Sequence, residues 1–122
     1  PKARGKCRLS IIHAMAALAD SSVTETLLEA LGDTDREVRL AAGAGLAKMG
    51  EAKAVDNLLQ AADVPAGWER IQATKHCLML AEKLADAGKN DLARKIYQRL
   101  RDTRTGSDEG YLRTLAEEAL QA

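Results

Sequence analysis

A dipeptide ending in arginine returns four times in one frame along this 122-residue chain, and no other feature limits the possible folds as tightly. Cys7-Arg8, Val38-Arg39, Glu69-Arg70 and Leu112-Arg113 align so that Ile11, Ala42, Ala73 or Ala116 stands three residues after the Arg. Met15, Leu46, Cys77 or Leu120 stands seven residues after it. Offsets of three and seven put side chains on one face of an α-helix. The arginines are 31, 31 and 43 residues apart. Between them runs a second apolar pattern, Leu27-Leu28 and Leu58-Leu59 at the same 31-residue offset and, more loosely, Ile96-Tyr97. An acidic residue follows each of these, at Asp33, Asp63 and Asp102. Two apolar stripes per period describe a helical hairpin that cannot bury both stripes alone, so neighbouring hairpins must stack and share a core.

The best-kept copy is 33–50, DTDREVRLAAGAGLAKMG. It has Thr34 or Asp35 to cap a helix, Val38, Ala42, Leu46 and Met49 on one face, and Gly50 to end it. Small residues such as Ala42 and Gly45 allow adjacent layers to approach, and the Arg one turn into the helix can pair with a carboxylate of its own or a neighbouring repeat. The remaining segments follow suit. A first helix over 7–20 carries Leu9, Ile12, Met15, Ala16 and Ala19, with Ile11 and Leu18 widening the stripe. Ser21 or Ser22 caps a second, with Glu25 as in a capping box and Val23, Leu27, Leu28 and Leu31 inward. Glu51 opens a helix with Val55, Leu58, Leu59 and Ala62 that stops before Val64-Pro65. The longest helix spans about 67–87 with Ile71, Leu78, Leu80, Leu84 and Ala85, and Gly88 ends it. Asn90 or Asp91 caps the next, through Leu92, Ile96, Tyr97 and Leu100. A loop over 102–108 precedes a last helix marked by Leu112, Leu115, Ala119 and Leu120. The expectation is an all-α chain, an α-α superhelix (α-solenoid) of about seven antiparallel helices forming one domain over 1–122.

Composition agrees. Apolar residues make up 46% of the chain but aromatics only 2%, with no Phe, so the core is built from Leu, Ala, Ile, Val and Met, which suits helix packing better than a sheet. Lys and Arg (18) balance Asp and Glu (18), which gives no global field for nucleic acid or an anionic membrane. Two cysteines, Cys7 and Cys77, make no disulfide framework; no oxidising compartment is required, and the sequence leans only slightly to the cytoplasm. No apolar run is long enough to span a membrane, and no apolar signal segment follows the basic residues 1–8. The chain opens on a second-type helix without a first, which predicts a piece of a longer array.

From Leu27 to Gly50, LLEALGDTDREVRLAAGAGLAKMG resembles the HEAT-repeat family: a first helix ending in apolar residues, an Asp-containing turn, Val-Arg, small residues and a terminal Gly. The copies at Arg8, Arg70 and Arg113 match in part. Before Arg70 the turn is replaced by VPAGW, and the last interval is longer than the others. Residues 87–97, AGKNDLARKIY, resemble a tetratricopeptide hairpin instead. Either resemblance implies a right-handed stack of HEAT-like hairpins used as a scaffold or binding surface, commonly lined by the second helices.

The arginine series could form a ladder for an acidic ligand or tie the repeats together; carboxylates close to each Arg favour the tie. Exposed second-helix positions are the better contact candidates: Arg36, Glu37, Leu40, Lys48, Lys75 and Glu117, whose mixed signs suit a polar protein or peptide partner. Trp68, beside a Pro-Gly bend, is either a binding anchor or a plug across the loop. Tyr97 and Tyr111 fall at apolar positions and read as half-buried core. His76 and Cys77, like His13 and Cys7, lack the spacing of metal ligands, and adjacent helical residues point about 100° apart, which prevents a nucleophile–base pair. Gly43 and Gly45 sit inside a helix, not in a phosphate loop. The sequence therefore assigns no catalytic residue, cofactor or metal and describes a protein-interaction scaffold. The alternative is nucleic-acid binding through the basic stretches 2–8 and 89–104, and a lyase-type enzyme on the same stack ranks last.

Overall fold

Asp35 and Gly50 set the limits of the best-kept repeat through opposite chemistry. The Asp35 carboxylate accepts the Glu37 N–H at 2.8 Å, filling one of the vacant donors of the first turn. Gly50 closes the helix in the left-handed region at φ 64°, where a side chain would be strained. The structure is a computed structural model that describes residues 6–18 and 21–121, without the side chains of residues 6–8, 16, 18 and 21. Its elements are α1 (Lys6–Leu18), α2 (Thr24–Ala30), α3 (Arg36–Met49), α4 (Val55–Ala62), α5 (Trp68–Asp86), α6 (Asn90–Thr103) and α7 (Gly110–Gln121). Single 3₁₀ turns, Ser21–Val23 and Ala52–Ala54, lead into α2 and α4. Among the described residues there is no strand.

The helices form two layers. α3 packs between α1 and α5 and rests on α2; α5 rests on α4 and α6; α7 lies on α6 and touches α5 sparsely. The first helices of the hairpins, α2, α4 and α6, thus make one layer, and the second helices, α1, α3, α5 and α7, make the other. A single cluster of buried side chains runs from Ile12 through Leu27, Val38, Leu46, Leu58, Leu80 and Ile96 to Ala116. This is the continuous core that stacked hairpins share, and the α-solenoid read from the repeat is the observed fold.

Small residues bring α3 and α5 close. A Cβ on Gly43 would stand 3.0 Å from His76 Nδ1 and 3.4 Å from Leu58 Cδ2, so this position has no room for a larger side chain without a shift of its neighbours. Ala42 and Gly45 are buried as expected.

Several local readings are corrected. Ser21 opens a 3₁₀ turn, and Val23 occupies the N-cap of α2 without a capping side chain. Asn90 is already helical, with Lys89 at the N-cap position of α6. α6 continues through Asp102 to Thr103, so the loop is shorter than 102–108. In α7, Leu112 and Ala116 face the core, whereas Leu115 is 49% exposed and Tyr111 is 51% exposed. Leu112 and Ala116, one turn apart, satisfy the core and leave the adjacent Tyr111-Leu115 stripe outside. Ala19, Asp20 and the side chains of Cys7 and Arg8 lie outside the described residues.

Candidate functional site

Two arginines of the frame, Arg39 and Arg70, tie repeats together. The Arg39 guanidinium forks onto Glu69, Nε to Oε2 and Nη2 to Oε1, both at 3.0 Å. Its Nη1 donates to the carbonyls of Asp33 (2.9 Å) and Thr34 (3.2 Å), the turn that precedes its own helix. One repeat on, Arg70 reaches Glu109 at 2.5 Å and donates to the carbonyls of Val64 and Thr103. In both cases an arginine one turn into a second helix grips a carboxylate at or just before the start of the next second helix. Burial alone would raise the pKa of Glu109, but the hydrogen bond from Arg70, the Gly106 N–H and the charges of Arg70 and Arg104 bring it below its ordinary value. With these groups engaged, the Arg39 and Arg70 rungs serve the stack and not an acidic ligand.

Arg104 is the residue that sequence reasoning missed. It follows a helix and precedes Thr-Gly-Ser, which reads as exposed loop, yet its side chain is fully buried. It donates to Thr74 Oγ1 (2.8 Å), the Ala62 carbonyl (2.9 Å) and Thr103 Oγ1 (2.7 Å), and pairs with Asp63. Nothing in the local sequence signals this, because all but one of its partners lie 30 or more residues away. The basic stretch 89–104 is correspondingly less open than its composition suggests. Lys95 pairs with Asp56 at 2.7 Å, Arg99 pairs with Asp63, Arg101 pairs with Asp102, and Arg104 is inside. The other basic stretch, 2–8, lies outside the described residues or side chains.

The contact candidates divide by position. Arg36, Glu37 and Trp68 meet at the N-terminal ends of α3 and α5: the Arg36 guanidinium carbon lies 5.2 Å from the centre of the Trp68 ring, and Arg36 pairs with Glu37 at 3.5 Å. Trp68 is 54% exposed, an indole held by a cation on one face and open elsewhere. Leu40, one turn further along α3, is half-buried and lines a narrow cleft with Gly43, Ala73 and His76. Lys75 is exposed two turns along α5. Lys48 is exposed at the far end of α3, and Glu117 is exposed on α7, so neither joins the Trp68 cluster.

Cys77 is a core residue, and half-buried His76 flanks it. Burial lowers the pKa of His76, and Cys77 donates to the Leu58 carbonyl at 3.4 Å while burial pushes its thiol up to about 12, the opposite of nucleophile activation. Among the described residues no group of three or more His, Cys, Asp and Glu is placed to hold a metal, and no helix is long and apolar enough to cross a membrane.

Stacked two-helix units tied by an arginine of one second helix and a carboxylate of the next are the geometry expected of the repeat read in the sequence, and a family model for HEAT repeats matches residues 2–79. The chain belongs to the HEAT-repeat family. The matched span takes in α1 to α4 and most of α5, and so includes the Arg39–Glu69 rung. A search of curated proteins returns no match.

The HEAT stack has two unlike surfaces. All five exposed large apolar side chains among the described residues, Ile11, Trp68, Met79, Tyr111 and Leu115, belong to α1, α5 and α7, the second-helix layer. The outward positions of α2, α4 and α6 are polar, including Glu25, Glu29, Asp56, Asn57, Gln60, Arg94 and Gln98.

Proposed function

We propose that this HEAT-repeat chain acts as one protein-interaction or scaffolding domain and that its second-helix layer is the docking face. Repeats of this family generally mediate protein–protein interaction or scaffolding. The observation that carries the assignment of the face is the confinement of the exposed apolar side chains to one layer. A monomer scatters single apolar residues over its surface, whereas an interaction face gathers them beside polar groups. Trp68 with Arg36 and Glu37 supplies an aromatic anchor with charges of both signs at its rim; Leu40 and Lys75 lie further along α3 and α5 in the same layer, and Lys48 and Glu117 lie in it apart from the cluster. Rigidity comes from the buried core and the arginine ties, so little conformational freedom is lost on binding.

The test captures a partner on the immobilised protein and compares variants of the two layers. Trp68→Ala and Met79→Asp should weaken capture at least tenfold, while Gln60→Lys and Gln98→Glu on the first-helix layer leave it unchanged. The opposite ranking would assign the docking face to the first helices. Nucleic acid is the second reading; a basic partner groove is harder to build when Lys95, Arg99 and Arg101 are paired with carboxylates. Binding of an oligonucleotide that falls steeply with salt would favour it.

A further inference from the structure

Resting on that reading, we infer that the cleft between α5 and α7 takes one large apolar side chain of a partner segment that carries Lys or Arg beside this anchor. α3 and α5 pack closely along their length, but α5 and α7 do not. They are joined near their N-terminal ends, where Arg70 grips Glu109 just before α7, and an opening lies between them further along both helices. The longer 43-residue interval before Arg113 is taken up mainly by longer helices, 19 residues in α5 and 14 in α6 against 14 in α3 and 8 in α4. Where the helices part, Leu78 and Glu82 of α5 and Leu115 and Ala119 of α7 form the walls of an opening of about 150 Å³, and Tyr97 of α6 is its floor. A cavity of this size accommodates a benzene ring.

The walls are apolar and one rim is acidic. Glu82 lines the opening, and Asp86 stands one turn beyond it on α5. Glu118 lies three residues after Leu115 on the exposed flank of α7. The pKa of the Tyr97 hydroxyl is raised first by burial and then by the charges of Glu82 and Asp86, which shows that their field reaches the floor. Of the nearby cations, Lys75 stands toward the closed end, and Arg94 is directed at the Leu120 carbonyl at 3.5 Å. An apolar anchor therefore enters between Leu78 and Leu115, and a flanking cation meets Glu82. An acidic segment would be repelled at that rim.

The probe is a fluorescein-labelled peptide with a central Phe flanked by Lys, compared with one bearing Glu for Lys and one bearing Ser for Phe. Anisotropy should show the first binding at least tenfold more tightly than either control, with affinity falling as salt rises. Leu115→Asp and Glu82→Lys, both at exposed positions, should each weaken it at least tenfold with an unchanged circular dichroism spectrum. Trp68→Ala, about 21 Å along α5 from Glu82, should change it less than twofold. The inference is overturned if the Phe-Lys peptide does not bind at millimolar concentration, or binds Leu115→Asp as well as wild type. It is overturned too if sedimentation shows a dimer that Leu115→Asp dissociates, since the occupant is then a second copy. If captured partners respond to Trp68 and Met79 while the peptide ignores Leu115, the cleft fails and the docking layer stands. If neither responds, both fail.

Discussion

Arg39 of α3 and Glu69 of α5 meet as a two-pronged fork with both contacts at 3.0 Å, and the same relationship is rebuilt one repeat later by Arg70 and Glu109. The two rungs differ in depth. The Glu69 side chain keeps 19% of its exposure, that of Glu109 only 4%. A partly solvated carboxylate that is removed leaves its arginine able to recruit water, whereas removal of a buried one leaves an uncompensated charge. Glu69→Ala should therefore destabilise the fold by about 1–2 kcal/mol and Glu109→Ala by about 3–5 kcal/mol. Urea unfolding of the two variants checks the ranking, and equal losses would show that depth does not govern the ladder.

Arg104 ties α4, α5 and the end of α6 to one buried guanidinium. Arg104→Met keeps much of the volume but leaves the Ala62 carbonyl without its donor, while Asp63 retains Arg99 and the Thr74 hydroxyl still donates to the Arg70 carbonyl at 2.7 Å. One orphaned buried acceptor costs about 1–3 kcal/mol, so this variant should be less damaging than Glu109→Ala. Arg104→Glu, which opposes a new buried anion to Asp63, should not fold. Thermal unfolding of the first and soluble expression of the second distinguish the two outcomes.

What the sequence makes legible is whatever depends on local spacing. The Asp35 cap, the Gly50 stop and the Val38-Ala42-Leu46 face follow from residues within one period, while the recurring frame announces that Arg39 and Arg70 pair with carboxylates but does not identify Glu69 and Glu109, 30 and 39 residues away. Arg104 was not legible, because its partners come from α4 and α5 and no local pattern marks a buried guanidinium. Tyr111, expected to be half-buried, is exposed because α7 offers two adjacent apolar stripes, Leu112-Ala116 and Tyr111-Leu115, and only packing against α6 selects the first. Among the contact candidates, Arg36, Glu37 and Trp68 converge, since equivalent positions of successive second helices lie side by side. Lys48 and Glu117 do not, because exposure alone places no residue beside another.

Stability should fall on both sides of neutrality, by different groups. Burial lowers the pKa of His76 below 6.5, so the neutral ring favours the fold; its contribution is complete above pH 6.5 and is lost as pH falls through the lower folded value. Glu109, lowered from 4.5, adds a second loss below that pH. Cys77 acts at the other end: its folded pKa of about 12 exceeds the ordinary 9.0, so its contribution is complete below pH 9 and is lost as pH rises from 9 toward 12. Melting temperature against pH should show a plateau from about 7 to 9. His76→Gln should flatten the first acid step, Glu109→Gln the second, and Cys77→Ala the alkaline one. Tyr97, raised from 10.0 by burial and then by Glu82 and Asp86, adds its own loss above pH 10, so a decline between pH 9 and 10 that persists in Cys77→Ala would assign that step to another group.

Trp68 should separate binding from folding. The residue is 54% exposed, and its ring meets the Arg36 guanidinium at 5.2 Å in a surface cation–π pair worth about 0.5–1 kcal/mol. Trp68→Ala should therefore lower stability by no more than about 1 kcal/mol, as expected for a surface change. An aromatic anchor at the centre of an interface typically accounts for about 2 kcal/mol or more of affinity. Arg36→Ala removes the cation that holds the indole in place, so it should weaken the same partner by a smaller factor, and the double variant should lose less than the sum because the two residues act as a pair. Paired measurements of unfolding free energy and partner affinity on the two single variants and the double variant decide the matter. A loss of stability as large as the loss of affinity would make Trp68 a plug across the 63–67 turn instead of an anchor.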